Sequence, residues 1–358
     1  MAKVFVTKSF LPPIDEYKEY IDRIWDNGQL TNQGPLLSEF ENKLSNHLKV
    51  ENLHFVANGT LALQVALRAL NIINGEIITT PFSYVATTSA ILWERCEPVY
   101  VDIDPKTLNI DSAKIEAAIT KKTRAILAVH VFGNPCDIEA IEKIAKKHNL
   151  KVIYDAAHAF GVKYKGKSIF SYGDISICSF HATKLFHTIE GGCVMAKDKE
   201  ISDNIELLKR FGHNADDHIR LGINAKASEF QAAMGLCNLK YIDDIISERK
   251  RLSEMYDKLL QQNVTIPRLR RNTTYNYSYY PVILDTEEKT FQVLKLLSES
   301  DIFPRRYFYP SLNNLDYLTK RDRCKVSEDI SKRIVCLPLF PGLDNIIAKK
   351  IQETIAAC

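Results

Sequence analysis

Lys184 closes the run Ser179-Phe180-His181-Ala182-Thr183-Lys184, just after the apolar strand pattern Ile175–Phe180. An amine delivered there is partly desolvated. Desolvation lowers its pKa and suits it to imine formation with a carbonyl. Asp155 follows Lys151-Val152-Ile153-Tyr154 and is predicted at the C-terminal end of a buried strand, where ligands bind in open α/β sheets. Asn58-Gly59-Thr60 opens a helix after the apolar Leu53–Ala57. Free N–H groups and the helix dipole at such a start suit a phosphate, and the Thr60 hydroxyl adds a donor. Tyr84, in Pro81-Phe82-Ser83-Tyr84-Val85-Ala86-Thr87, could stack on a flat ligand. Glu190-Gly191-Gly192 allows a tight turn and close approach of backbone to ligand.

Each signal has a plainer reading by itself. Most lysines are exposed loop residues. Asp155 could cap a turn, Asn58 could be a simple N-cap, Tyr84 a core aromatic, and the two glycines a hairpin turn. Their order favours a single site. Asn58-Gly59-Thr60, Tyr84, Asp155, Ser179 and Lys184 all fall after strand patterns. One sheet edge then gathers a phosphate cradle, an aromatic plate, a carboxylate and an amine.

The elements that must position these groups are legible as alternating patterns. Strands are predicted at Glu76–Thr80, Pro98–Asp102, Ala125–His130, Lys151–Tyr154, Ile175–Phe180 and Cys193–Ala196, with helices such as Gly59–Leu70 and Asp137–His148 between them. This alternation predicts an α/β fold with a mostly parallel sheet between helices, and the continuous apolar strands fit burial on both faces. After about Ala227 the pattern changes. Ser228-Glu229-Phe230-Gln231 reads as a capping box, and Phe230, Met234, Cys237 and Ile242 recur at helical spacing. One long helix is therefore expected to carry the chain into a smaller lobe, with strands Tyr279–Leu284 and Ile302–Phe308 around helix Lys289–Ser298. The expected division is a large domain over 1–245 and a small α+β domain over 246–358.

Composition narrows the classes. The chain has 358 residues, 46% hydrophobic and 25% charged, as in ordinary globular proteins. Its 47 basic and 44 acidic side chains nearly balance at +3, which gives no footprint for nucleic acid. Arg268-Leu269-Arg270-Arg271 is too short a basic run to change that. No segment has the apolar length of a membrane span, and the apolar stretch in Met1–Val6 is too short for a signal peptide. Eight scattered cysteines without Cys-x-x-Cys spacing predict free thiols in a reducing cytosol and no metal site.

At these residues the sequence resembles the fold-type I aminotransferases, and more narrowly the DegT/DnrJ/EryC1/StrS family of nucleotide-sugar aminotransferases. The resemblance runs nearly end to end. It includes Leu30-Thr31-Asn32-Gln33-Gly34-Pro35, Asn58-Gly59-Thr60, Tyr84-Val85-Ala86-Thr87 and Asp155-Ala156-Ala157-His158. It continues through Ser179–Lys184, Glu190-Gly191-Gly192, Gly222-Ile223-Asn224-Ala225-Lys226, Tyr309-Pro310 and Leu337-Pro338-Leu339. The family implies pyridoxal 5'-phosphate as cofactor, cycling through pyridoxamine 5'-phosphate. Lys184 would form the internal aldimine and shuttle protons, and Asp155 would pair with the pyridinium nitrogen. His158 would contact the ring hydroxyl, Tyr84 would stack on the ring, and Gly59, Thr60 and Ser179 would hold the phosphate. Asn224 would reach the phosphate of a neighbouring subunit, which implies a homodimer with shared active sites. Thr31, Asn32, His181, Lys226 and Tyr309 match positions on the substrate side, and the stretches 210–220 and 305–312 are candidates for the nucleotide. Two positions depart from the family pattern: Lys226 stands where Arg is common and lacks its bidentate fork, and Tyr277-Ser278-Tyr279 stands where many relatives carry His.

The stretch from His181 to Gly192 resembles the subgroup acting at sugar C4, similar to dTDP-4-amino-4,6-dideoxyglucose transaminases of O-antigen and lipopolysaccharide synthesis. Enzymes acting at C3 tend to carry Tyr-Pro-Gly-Lys around the lysine, which is absent here. The resemblance thus implies L-glutamate as donor and a dTDP-4-keto-6-deoxy-D-glucose-type acceptor, in the cytoplasm. The alternatives are a C3-aminotransferase, an enzyme for GDP- or UDP-keto sugars, a dehydratase of the same fold, and a non-catalytic regulator. A dehydratase would carry His in place of Lys184, and a regulator should have lost Lys184 or Asp155.

Overall fold

Seven short strands form the central sheet of the computed structural model, which describes residues 3–358; Met1 and Ala2 of the N-terminal segment lie outside the described residues. The strands are β1 (Leu53–Val56), β2 (Glu76–Thr79), β3 (Glu97–Tyr100), β4 (Thr123–Val129), β5 (Lys151–Asp155), β6 (Ile175–Ser179) and β7 (Gly192–Ala196). Their order across the sheet is β1-β7-β6-β5-β4-β2-β3. Only β7 runs against its neighbours; the other pairings are parallel. The six strand patterns read from sequence agree within two residues at either end, and Leu53–Val56 joins them at the edge.

The apolar runs follow from burial on both faces. Along β4, Ile126 and Ala128 join one core while Ala125 and Leu127 join the other. Along β5, Val152 and Tyr154 face the first and Ile153 the second. Alternation between two dry faces leaves no polar position to mark a period of two. No helix among the described residues is long and apolar enough to cross a membrane.

Two expectations need correction. The long helix after Ser228 is two helices, Glu229–Leu239 and Ile242–Leu260. The capping box at its start is present, with the Ser228 hydroxyl and the Gln231 side chain each accepting from the other's backbone N–H. The break at Lys240-Tyr241 has a tertiary cause. Lys240 Nζ lies 2.7 Å from Glu16 Oε2, the Tyr241 hydroxyl donates to Glu16 as well, and the Tyr241 ring packs on Phe10. The second correction concerns Ile302–Phe308, where only Ile302–Phe303 is strand, paired parallel with Val4–Phe5. Pro304 follows and has no N–H to extend the ladder.

Helix Ile242–Leu260 links two cores. Ile242 and Ile245 belong to the sheet core, whereas Leu252, Tyr256 and Leu260 belong to a C-terminal core with Val282, Val335 and Ile351. Strand Tyr280–Ile283 pairs antiparallel with Ile334–Leu337, and helix Glu287–Ser298 follows.

Glu229 shows how the segment 30–35 is held. Helix Pro35–Leu48 starts at Gly34 without a side-chain cap of its own. The fully buried Glu229 carboxylate supplies one, accepting from Leu36 N (2.7 Å) and Leu37 N (2.9 Å). This satisfies two of the N–H groups that a helix start leaves unpaired, and places the charge at the favourable dipole end. Glu229 N also donates to Leu30 O (2.9 Å). A Cβ at position 34 would lie 2.5 Å from Glu229 Cδ, so the close approach requires glycine.

Glu229→Ala leaves two buried donors unpaired, at about 1–3 kcal/mol each. It is expected to lower the urea midpoint by the equivalent of roughly 3 kcal/mol, and Glu229→Gln, which keeps one carbonyl acceptor, by less. A midpoint unchanged in Glu229→Ala contradicts the capping role.

Candidate active site

The C-terminal ends of β4, β5 and β6 open into a cavity of about 250 Å³. Asp155 is the last residue of β5 and only 5% exposed. Its Oδ1 accepts from Ala157 N (3.1 Å), and its Oδ2 from the Thr87 hydroxyl (3.0 Å). Burial pushes its pKa up, against the Ala157 and Thr87 hydrogen bonds and the nearby Lys184 charge.

Lys184 sits in the turn after β6, with its N–H donating to His181 O (2.8 Å). Desolvation pulls its pKa below the ordinary lysine value, and Asp155 is the first group opposing that fall. A lowered pKa gives a larger share of the free amine, the nucleophilic form.

His158 follows Asp155 by three residues and is buried. Its ring lies nearly parallel to Phe132 (6.2 Å, 7°) and Phe308 (5.6 Å, 3°). Burial drives its pKa well below the ordinary value, and the Lys184 charge adds to this, so the imidazole is neutral. Its Nδ1 is buried with no hydrogen-bond partner among the described residues. Such an orphaned atom beside a cavity is a place for a ligand's polar group. The His158 carbonyl is pinned by Asn276 Nδ2 (2.9 Å) and the Ser278 hydroxyl (2.5 Å).

The helix start faces the same space. Asn58 caps helix Gly59–Ala69, its side chain accepting from Leu61 N (2.9 Å) and its carbonyl from Ala62 N (3.1 Å). The Gly59 and Thr60 N–H groups remain for an outside acceptor. A Cβ on Gly59 would lie 2.8 Å from Ser179 Cβ, and one on Gly192 would lie 2.8 Å from Asn58 O. Glycine at these two positions lets the helix start, the end of β6 and the start of β7 converge. Tyr84 stands on the wall, 56% exposed.

Lys184, Asp155, Gly59, Thr60, Tyr84, His158, Ser179 and His181 therefore line one cavity. His181 Nε2 is 3.5 Å from Glu190 Oε1 on the same wall. Thr31, Asn32, Asn224, Lys226 and Tyr309 do not line it. Thr31, Asn32 and Asn224 are exposed; Asn224 bridges to Arg210. Lys226 Nζ lies over the Phe211 ring (5.1 Å), and the Arg306 guanidinium lies 3.5 Å from the Tyr309 ring centroid. Sequence reasoning missed Thr87 as a partner of Asp155, although the motif Tyr84-Val85-Ala86-Thr87 placed it one helical turn beyond Tyr84. It noted Tyr279 only within a segment that departs from the family's His, and it assigned Arg305, Tyr307 and Phe308 only to a possible nucleotide segment, yet all four line the cavity.

The donor set suits a flat, phosphorylated ring with a cationic nitrogen. It offers unpaired N–H groups and hydroxyls for the phosphate, an exposed aromatic for the face, a buried carboxylate for the nitrogen and a desolvated amine for a carbonyl. Residues 14–356 match the DegT/DnrJ/EryC1/StrS aminotransferase family. Over 365 aligned positions the chain is 42% identical to a dTDP-4-amino-4,6-dideoxy-D-glucose transaminase of Shigella dysenteriae, with 98% of both chains covered. DesI, crystallised with its TDP-sugar product, matches with a TM-score of 0.94 and 30% identity, covering 100% of this chain and 93% of that one. NtdA of Bacillus subtilis, crystallised with the cofactor pyridoxamine phosphate, matches with a TM-score of 0.88 and 26% identity, covering 96% and 81%.

The lowered Lys184 pKa is open to direct measurement. In cofactor-free protein, competitive labelling with trace acetic anhydride followed by peptide mapping should show Lys184 gaining reactivity at lower pH than the bulk of the surface lysines. Co-titration of Lys184 with the exposed lysines counts against a desolvated amine.

Proposed function

This chain belongs to the DegT/DnrJ/EryC1/StrS aminotransferase family of pyridoxal-phosphate-dependent enzymes, and we propose that it moves an amino group from L-glutamate to the C4 keto group of a dTDP-4-keto-6-deoxy-D-glucose-type nucleotide sugar. The observation carrying this reading is the joining of Lys184 and Asp155 in one cavity in a chain 42% identical to a transaminase named for such a sugar. The DesI structure, with its TDP-sugar product, supports the same substrate class.

When bound, pyridoxal phosphate supplies an electron sink for the carbon losing or gaining a proton. Lys184 Nζ anchors the cofactor's carbonyl carbon and, once released, moves a proton beside it. Two roles for one amine require that it exchange easily between charged and neutral forms, which its desolvation favours. Asp155 pairs with the ring nitrogen and keeps it protonated. His158, neutral and with Nδ1 unpartnered, contacts the ring hydroxyl without adding a second cation beside Lys184. Tyr84 covers the ring face, and Gly59, Thr60 and Ser179 hold the phosphate. The donor and the sugar use the cavity in turn, so the two half-reactions share Lys184.

Asn224 completes the phosphate site of a second copy of the chain in a homodimer. It lies on an exposed segment with Phe211, Ile219, Leu221 and Ile223, apolar side chains that a partner subunit would cover. Thr31, Asn32, His181, Lys226 and Tyr309 contact the substrates, His181 from the cavity wall itself. The product is an amino sugar nucleotide made in the cytoplasm for O-antigen or other lipopolysaccharide glycans.

Purified enzyme with L-glutamate is tested against dTDP-, GDP- and UDP-linked keto sugars, with products identified by mass spectrometry and NMR. A dTDP-4-amino sugar is expected; failure to aminate any dTDP-4-keto sugar overturns the substrate assignment. Lys184→Ala should abolish turnover while light scattering still reports a dimer. Retained turnover in that variant would assign the chemistry to another amine.

A further inference from the structure

Thr87 gives its hydroxyl hydrogen to Asp155 Oδ2 (3.0 Å) from the first turn of helix Ala86–Trp93, where it is 1% exposed. Its Oγ1 also lies 2.8 Å from the Ser83 hydroxyl, which is itself buried and lines the cavity. A hydroxyl carries one hydrogen. Thr87 directs its own to the carboxylate, so Ser83 must be the donor in the Ser83–Thr87 bond. While Asp155 is ionised, the chain Ser83 to Thr87 to Asp155 has a single direction, and each bond polarises the next. A proton on Oδ2 would place a second hydrogen between Asp155 and Thr87 and break or reverse the chain.

We infer that Thr87, backed by Ser83, is a positioning residue that keeps Asp155 anionic and fixes its carboxylate in the cavity wall. The inference rests on the reading of Asp155 as partner of the cofactor's ring nitrogen.

Burial works against an anion at Asp155, and the Lys184 charge counters burial. That help vanishes whenever Lys184 is the neutral amine its chemistry needs. The other titratable groups facing Asp155 supply no cation. Cys178 on neighbouring β6 and Cys136 beyond β4 are buried thiols pushed up, and His158 is held neutral. Two hydrogen bonds remain that do not depend on the state of Lys184. One comes from the Ala157 backbone, and the other, from Thr87, is a side chain's choice. Hydrogen bonding to the charged form favours that form, and bonds to ionised acceptors are the stronger kind.

The test measures pyridoxal phosphate affinity by fluorescence quenching in cofactor-stripped enzyme, across a pH series from acid to mildly alkaline. Thr87→Val is expected to bind about tenfold more weakly at the acid end, the loss typical of one hydrogen bond to a charged group, and to approach wild type at the alkaline end. Thr87→Ser keeps the hydroxyl and should restore the wild-type profile, and Ser83→Ala should fall between. If Thr87→Val follows the wild-type profile while Asp155→Asn loses affinity throughout, Thr87 only packs and the inference is overturned. If Asp155→Asn itself binds as wild type does, the pairing role of Asp155 fails and takes the Thr87 role with it. Should Thr87→Val not fold, Ser83→Ala decides: an acid midpoint moved upward supports the chain, and an unmoved one overturns it.

Discussion

Asp155 and Lys184 are opposite charges drawn out of water into one cavity, and much of the surrounding structure answers to that constraint. Burial pushes the carboxylate up and the amine down, each toward neutrality, while each group's charge restrains the shift in the other. Such a balance can be tipped by a single neighbour, because an added or missing donor acts at low dielectric. The neighbours fit this demand. Asp155 has a donor on each oxygen. His158, which as imidazolium would be a second cation next to Lys184, is packed against Phe132 and Phe308 and kept neutral.

Backbone approach is the other half of the arrangement. Parallel strands place consecutive C-terminal ends side by side, so groups distant in sequence meet where the ladder stops. Asp155 and Ser179 are the last residues of adjacent strands. The helix start at Gly59 could not reach Ser179 with a side chain in the way, nor could β7 run beside Asn58 without Gly192. The two hydrophobic layers hold the strands from both sides, so the strand ends are fixed points on which a turn such as 181–184 can carry a reactive amine.

This logic also explains what could be read in the sequence. The sheet was legible because strands buried on both faces are unbroken apolar runs, and the residues just beyond those runs are the ones at the strand ends. Lys184, Asp155, Ser179 and Gly59 were accessible in that way. Thr87 was not, since a threonine in a helix carries no local mark of a carboxylate 68 positions away. The ring stack on His158 joins positions 132 and 308, which only the fold brings together. The break at Lys240-Tyr241 was invisible for a similar reason: the local pattern is helical throughout, and the carboxylate that holds the turn belongs to Glu16 near the other end of the chain. Ile302–Phe308 was different, because Pro304 was in view and its missing N–H was sufficient ground to end the strand there.

Seven residues assigned to the cofactor share one cavity with His181 of the substrate set, and the remaining assigned residues lie apart from it. Lys184, Asp155, His158, Tyr84, Ser179, Gly59 and Thr60 meet within one chain, whereas Thr31, Asn32, Asn224, Lys226 and Tyr309 stay off the cavity wall. The segment bearing Asn224 is anchored at its base and exposed beyond it. Ala225 N donates to Lys209 O, and Lys209 is buried with Glu41 and Glu206 at 3.5 and 2.9 Å. From that base the chain carries Leu221, 79% exposed, and Phe211 into solvent. A buried ion cluster holding the root of a loop with an apolar tip suits a segment whose packing partner is another chain. Under that reading most of the cofactor end of the site is set by the fold of one subunit, and assembly adds Asn224 to the partner's phosphate site. Substitutions at the sheet edge would then alter chemistry within one subunit, and substitutions at the apolar tip would alter assembly and, through Asn224, the phosphate site of the partner.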